Sequence, residues 1–186
     1  MIAFNVAQLL KAATGTIRRV EVSELDPGLA ADLGIVSPTT GSLRLMRTTG
    51  GILVTGTLSH RVEAVCSRCL ETFVRDQVIA LDEEFVPVID VNTGVGLPEP
   101  DDADAFRLTP EHLLDLDEAI RQYAILESPL QPLCDEGCKG LCASCGANLN
   151  LGACDCQSSA TPAPSGSLGA LLAERLREAG FRPEQE

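Results

Sequence analysis

From Ile52 to Cys66 apolar and polar positions alternate. Ile52, Val54, Leu58, Val62, Ala64 and Cys66 fall on one side, and Thr55, Thr57, Ser59, Arg61 and Glu63 on the other. Successive strand side chains point to opposite faces, so this period predicts a long, half-buried strand. β character resumes over Phe73–Val88, where Phe73, Ile79, Leu81 and Phe85 share a parity. The short break between the two places Cys66-Ser67-Arg68-Cys69 at the tip of a hairpin.

The remaining elements are shorter. Asn5 to Ala13 reads as a helix carrying Val6, Leu9 and Leu10 on one face and ended by Gly15, and Ile17–Val22 as a first strand. The stretch between Glu24 and Gly41 is dense in Pro and Gly and predicts a loop. Leu43–Thr48 is a further strand, turned at Gly50-Gly51 into the long one. Asp90–Asp104 is rich in acids, Gly and Pro and reads as a mobile, solvated acidic loop. Asp115 and Glu118 have capping-box spacing ahead of Leu116, Ala119, Ile120, Tyr123 and Ala124, which recur at helical period. Pro129 and Pro132 end that helix.

At the far end, Gln157–Gly166 has linker composition. Ser167 is placed to cap a helix over Leu168–Ala179 with a stripe of Leu168, Leu171, Leu172 and Leu176. The expected fold class is α+β: an antiparallel, partly barrel-like β-sheet with a packed helix and a C-terminal cysteine-rich zinc-binding module. The expected division is a β-rich core domain with a zinc-knuckle hairpin over 1–130, a cysteine-rich module over 131–157, and the linker with its helix over 158–186.

Composition narrows the function classes. A chain of 186 residues, 45% hydrophobic, can build a real core, and with five Phe, one Tyr and no Trp that core is aliphatic. A net charge of -13 opposes sequence-independent binding to nucleic acid or to an anionic membrane. No run of about 18 apolar residues is present, so no membrane span is expected. The opening residues lack the charge-then-apolar order of a secretion signal, and a cytoplasmic location is expected. Clustered cysteines in a reducing compartment point to metal ligation ahead of disulfides.

The eight cysteines dominate the candidate chemistry. Six form Cys134-x3-Cys138-x3-Cys142-x2-Cys145-x8-Cys154-x-Cys156, and the others are Cys66-x2-Cys69. Two cysteines separated by two residues can face one tetrahedral zinc ion from a single tight turn, and Gly146 lets the backbone bend back toward the sulfurs. If each local pair stays together, the pairs can combine into two sites in three ways. Closing Cys142 and Cys145 with Cys154 and Cys156 uses the shortest loop and leaves Cys66, Cys69, Cys134 and Cys138 as the second site. Two structural zinc ions are the expectation. An iron–sulfur cluster also uses four thiolates. A thioredoxin-like redox CxxC, by contrast, sits at a helix N-terminus, not between strands.

No recognisable enzyme motif accompanies them. The chain has two histidines, His60 and His112, and lacks HExxH, GxSxG and P-loop patterns. His60 shares a strand parity with Cys66 but lies roughly 20 Å away at strand rise, which suits a packed residue and not a ligand. His112 stands near a helix start without an evident acid partner. Asp82, Glu83 and Glu84 alternate across an apparently exposed strand and are poorly arranged for acid–base work. A four-cysteine site also leaves no open coordination place for water. The expectation is a protein that is not an enzyme and takes no small-molecule substrate.

Taken together, VCSRCLETF, DLDEAIRQYAILESPLQPLC and CKGLCASCGANLN with a closing CDC resemble the YceD-like family, the large ribosomal RNA subunit accumulation proteins. The resemblance runs from Ile17 to Cys156. Ala143 departs from it, standing where the GLCPxCG knuckle usually has proline. The resemblance implies a non-enzymatic factor supporting accumulation or processing of the large-subunit ribosomal RNA. Two kinds of partner follow: ribosomal RNA, held by a local basic patch including Arg61, Arg68 and Lys139, or a basic ribosomal or RNA-processing protein held by the acidic surface, including Asp101, Asp102 and Asp104. The net charge favours the second. A thiol redox or metal-delivery protein is the alternative from another class.

Overall fold

A computed structural model describes residues 1–99, 102 and 104–158. The linker beyond 158, the helix expected over Leu168–Ala179, and Asp101 lie outside the described residues. The chain forms two compact units, Met1–Cys138 and a second beginning at Lys139.

The first unit is built on a four-stranded antiparallel sheet in the order β2-β3-β4-β5, with β2 over Ile17–Glu24, β3 over Thr39–Arg47, β4 over Ile52–Val65 and β5 over Thr72–Phe85. β1 (Ala3–Asn5) pairs with β6 (Leu113–Asp115) in a separate two-stranded ribbon. The class is α+β as expected, but the sheet is open, with β2 and β5 at its edges, and does not close into a barrel.

The alternation of β4 is realised: Ile52, Val54, Leu58, Val62 and Cys66 are buried, and His60 is buried with them. Opposite them on β5 the buried set is Gln77, Ile79, Leu81 and Phe85. β3 and β4 approach closely at two glycines. A Cβ on Gly56 would lie 2.3 Å from the Ser42 carbonyl oxygen, and one on Gly41 2.1 Å from that of Thr57. The buried Leu43 and Leu58 side chains cover these gaps on the core side.

Two helices differ from expectation. The predicted loop holds α2 (Pro27–Leu33), following a short α1 (Ala7–Leu10). The Asp26 carboxylate accepts from the Leu29 amide at 2.9 Å, proline opens the helix, and Gly34 closes it at φ 67°. Asp-Pro at the start and Gly at the end are standard helix signals, outweighed here by Pro and Gly density. The amphipathic helix is α3 (Asp117–Leu126), but Leu116 takes the N-cap position, and Asp115, one residue earlier, accepts from the Asp117 amide at 3.0 Å. Instead of completing a capping box, Glu118 binds Arg121 at 2.8 Å and Gln122 at 2.9 Å. Ala119, Ile120 and Ala124 of α3 enter the core beside β5.

The acidic loop is partly structured. The Asp90 carboxylate accepts from the Asn92 and Thr93 amides, and Ile89 bridges to Gly96. His112 precedes a strand, not a helix, and has φ 60° with its carbonyl accepting from the Val6 amide.

Candidate metal centres

The turn joining β4 to β5 is Cys66-Ser67-Arg68-Cys69-Leu70-Glu71. The Leu70 amide donates to the Cys66 carbonyl at 3.0 Å, and the Cys66 amide to the Glu71 carbonyl at 2.9 Å. The Cys142-Ala143-Ser144-Cys145-Gly146-Ala147 turn of the second unit repeats this pattern, with Gly146 donating to Cys142 at 2.9 Å and Cys142 to Ala147 at 2.8 Å. Leu70 and Gly146 both take positive φ, 60° and 73°. Local hydrogen bonding therefore folds each CxxC into the same knuckle, with both thiols presented from one side.

In the first unit, Cys134 and Cys138 are brought against this turn. The Ser67 amide donates to Pro132 O at 2.8 Å, and Arg68 Nη1 donates to the carbonyls of Glu136 at 3.2 Å and Cys138 at 3.0 Å. The Asp135 carboxylate accepts from the Gly137 amide at 2.8 Å, turning the chain so that Cys138 re-enters the cluster. Sulfur–sulfur distances are 3.8 Å for Cys66–Cys138 and 3.6 Å for Cys69–Cys134. All four sulfurs lie within 4.8 Å of one another. Cys66, Cys69 and Cys138 are buried, packed by Phe73 and Leu133, while Cys134 is exposed.

The second unit gathers Cys142, Cys145, Cys154 and Cys156, again with all sulfurs within 4.8 Å. Leu141 bridges to Asn148, the Asn150 side chain accepts from the Lys139 amide at 2.8 Å, and a short 3-10 turn over Asp155–Ser158 carries Cys156. Cys145 is exposed and its three companions are half-buried.

These separations fit metal ligation. The eight cysteines form no disulfide, and 3.6–3.8 Å is far beyond a disulfide bond of about 2.05 Å. Four sulfurs at about 2.3 Å from a central ion form a tetrahedron whose edges are about 3.8 Å. The protonation chemistry agrees. Amides of Cys69 and Cys134 donating to the Cys66 sulfur lower its pKa to about 6, and those of Cys145 and Ser144 lower Cys142 to about 6. Removal of the Cys134 thiol from water, followed by its hydrogen bonds with Cys69, Cys66 and Cys138, pushes it up to about 12, although part of the residue is exposed. The hydrogen bond with Cys145 comes first in raising Cys156 to about 11. One thiolate is thus favoured in each set, and further negative charge is resisted until a cation is supplied. Both clusters could hold a metal ion, closed by four sulfurs.

The other singled-out residues lie elsewhere. His60 is buried between Thr39 and Gln77, with Nδ1 at 3.4 Å from the Thr39 hydroxyl and Nε2 at 3.3 Å from Gln77 Oε1. Asp82, Glu83 and Glu84 remain on β5, where Glu83 accepts from the Tyr123 hydroxyl at 2.8 Å. Arg68, expected in a basic patch, has Nη1 committed to carbonyls beside the first cluster. Sequence reasoning missed its positioning role, along with Asp135 and the positive φ of Leu70. The matching order of CSRCLE and CASCGA carried the signal for Leu70.

The family model "Large ribosomal RNA subunit accumulation protein YceD" matches residues 54–172, more than half of the chain. The chain belongs to the YceD family. Among its curated relatives, "Large ribosomal RNA subunit accumulation protein YCED homolog 1, chloroplastic" of Arabidopsis thaliana is 38% identical over 69 residues, covering 37% of this chain and 22% of that protein. The protein of that name in Zea mays is 44% identical over 45 residues, covering 24% and 15%. An uncharacterized protein of Mycobacterium tuberculosis is 31% identical over 131 residues, covering 70% of this chain and 56% of the relative. The chain thus spans less than two thirds of the length of these relatives. No solved structure matches it.

Proposed function

We propose that this YceD-family chain is a non-enzymatic, cytoplasmic factor that supports accumulation of the large-subunit ribosomal RNA by offering a protein surface held in place by two zinc ions. The observation that carries the structural part is the pair of four-sulfur clusters, each drawn together by a CxxC knuckle and a second pair of cysteines. Cys66, Cys69, Cys134 and Cys138 would hold one ion, and Cys142, Cys145, Cys154 and Cys156 the other. Zinc supplies four bonds per site and no redox chemistry; four thiolates leave it no place for a reacting water. The first site would tie the β4–β5 tip to the segment after α3, joining residues 65 positions apart along the chain.

The ribosomal part rests on the name of the family and of its chloroplast relatives. A charge of -13 favours a basic protein partner over direct capture of RNA, and binding two zinc ions with eight thiolates makes the chain more negative still. Depleting the protein in its host and measuring the ratio of large- to small-subunit ribosomal RNA tests the role. A fall, rescued by the wild-type gene and not by Cys66→Ser with Cys138→Ser, is expected; an unchanged ratio on depletion overturns it. Metal analysis should find about two zinc and no reactive thiols. Visible iron colour or a reducible disulfide would favour the redox reading.

A further inference from the structure

Leu70 combines two costs. It is a leucine at φ 60°, a region that disfavours residues with a Cβ, and its side chain is 63% exposed. The second knuckle shows that glycine fills the same turn position. Knuckle geometry therefore does not call for an exposed apolar side chain. Strain of this kind, sustained by surrounding structure, is a pointer to a contact residue.

Leu70 is not alone at this end of the first unit. The segment from the end of α3 to Cys134 runs up to the knuckle, where Pro132 accepts from Ser67, and it carries Leu126 at 78% and Leu130 at 101% exposure. Large apolar residues this exposed, on a turn and on the segment tied to it, mark interaction surfaces. Exposed acids accompany them: Glu127 beside Leu126, and Asp135 and Glu136 in the loop between Cys134 and Cys138. The one arginine of the knuckle, Arg68, has Nη1 occupied by the Glu136 and Cys138 carbonyls.

We infer that the metal-knuckle end of the first unit, presenting Leu70, Leu126 and Leu130 among Glu127, Asp135 and Glu136, is a docking surface for a basic protein segment. That segment carries apolar residues to meet the leucines and Lys or Arg to meet the acids. Apolar anchors give such an interface its affinity, and the surrounding charges give orientation and rate. The inference deepens the proposed function and rests on it for the kind of partner.

The test uses the full, zinc-loaded chain and an array of overlapping 20-residue peptides covering the large-subunit ribosomal proteins, with charge-matched scrambled peptides and purified large-subunit ribosomal RNA as further probes. Binding of a subset of Lys- or Arg-rich peptides with spaced apolar residues is expected. It should weaken at least tenfold in Leu70→Gly with Leu130→Ser, and separately in Glu127→Lys with Glu136→Lys, at unchanged zinc content and with a thermal midpoint no lower than that of the wild type. Leu70→Gly keeps the knuckle foldable, because Gly146 already occupies the equivalent turn. Three outcomes overturn the inference: no peptide binds, the variants bind as the wild type does, or RNA binds in place of peptides. It is equally overturned if peptides bind only after residues 159–186 are deleted, which would make the chain's own C-terminal segment the occupant. If depletion lowers ribosomal RNA but the Leu70/Leu130 variant restores it fully, the surface is wrong and the function stands. If depletion changes nothing while the peptides bind as described, the surface stands and the ribosomal reading falls.

Discussion

Leu70 and Gly146 occupy the same place in two separate CxxC turns: each donates its amide to the carbonyl of the first cysteine, at 3.0 and 2.9 Å, and each has positive φ. The equivalence shows that knuckle geometry is set by the backbone, with the side chain at this position left to other purposes.

Glycine tolerates that backbone conformation and other residues pay for it, which makes Gly146→Ala a direct probe of the second knuckle. The added Cβ meets no atom within 4 Å, so its effect is conformational and not steric. The strain of about 1 kcal/mol expected for a Cβ at such φ should weaken metal retention at Cys142, Cys145, Cys154 and Cys156 roughly fivefold. Competition with a graded chelator measures it, with the first site unaffected.

The two clusters differ in burial and should differ in lability. Three of four cysteines are buried at the first site, whereas the second has an exposed Cys145 and three half-buried companions. A chelator should therefore remove one metal equivalent quickly, mapped to the second site by thiol labelling after the metal is lost, with Cys66 and Cys138 still protected. Cys145→Ser should leave the thermal transition of the first unit in place, while Cys66→Ser should lower it by several degrees, because it unfastens the hairpin tip from the chain after α3. Simultaneous loss of both ions would contradict the ranking.

Gly56 lies where two strands nearly touch. Its substitution by alanine would set a Cβ 2.3 Å from the Ser42 carbonyl oxygen, a contact that only backbone movement relieves. Destabilisation of about 2–4 kcal/mol is expected, in the range of overpacking and backbone strain. Urea unfolding gives the value, and a change below about 0.5 kcal/mol would mean that β3 and β4 separate without cost.

Buried His60 links stability to pH. Burial lowers its pKa from 6.5, opposed by the Gln77 hydrogen bond and reinforced by the Arg75 charge. With the folded pKa below the unfolded one, the unfolded chain takes up the proton first as pH falls. The contribution is intact above pH 6.5 and declines as pH drops from 6.5 toward the folded value. His60→Gln should remove this part of the dependence. Denaturation midpoints at pH 7.5 and 5.5, compared between wild type and variant, isolate it from acid release of metal, which is common to both.

Much of the candidate site was legible in the chain because its rules are local. A CxxC of small or polar residues followed by a turn residue brings two sulfurs together by hydrogen bonds within six residues, and strict alternation along Ile52–Val65 assigns a buried face whatever lies opposite. Loop length also pointed to the grouping of the eight cysteines that the structure brings together. Helix α2 was legible in principle through Asp26, Pro27 and Gly34, yet the same residues also spell a loop, and only packing of Leu29 into the core separates the two.

Other features depend on residues far apart in sequence. That the sheet stays open, that His60 sits between Thr39 and Gln77, and that Arg68 braces the loop around Cys138 all follow from partners 17 to 70 positions away. So does the exposure of Leu70, Leu126 and Leu130, since apolar residues look alike in a sequence whether the fold covers them or leaves them bare. The sequence by itself determined the two knuckles, the long hairpin and the negative charge, because short-range hydrogen bonding, side-chain alternation and charge counting need no third dimension. Only the tertiary structure decided which cysteines lie within 4.8 Å of one another and which leucines are left in solvent, because both depend on how segments meet that covalent connectivity leaves free.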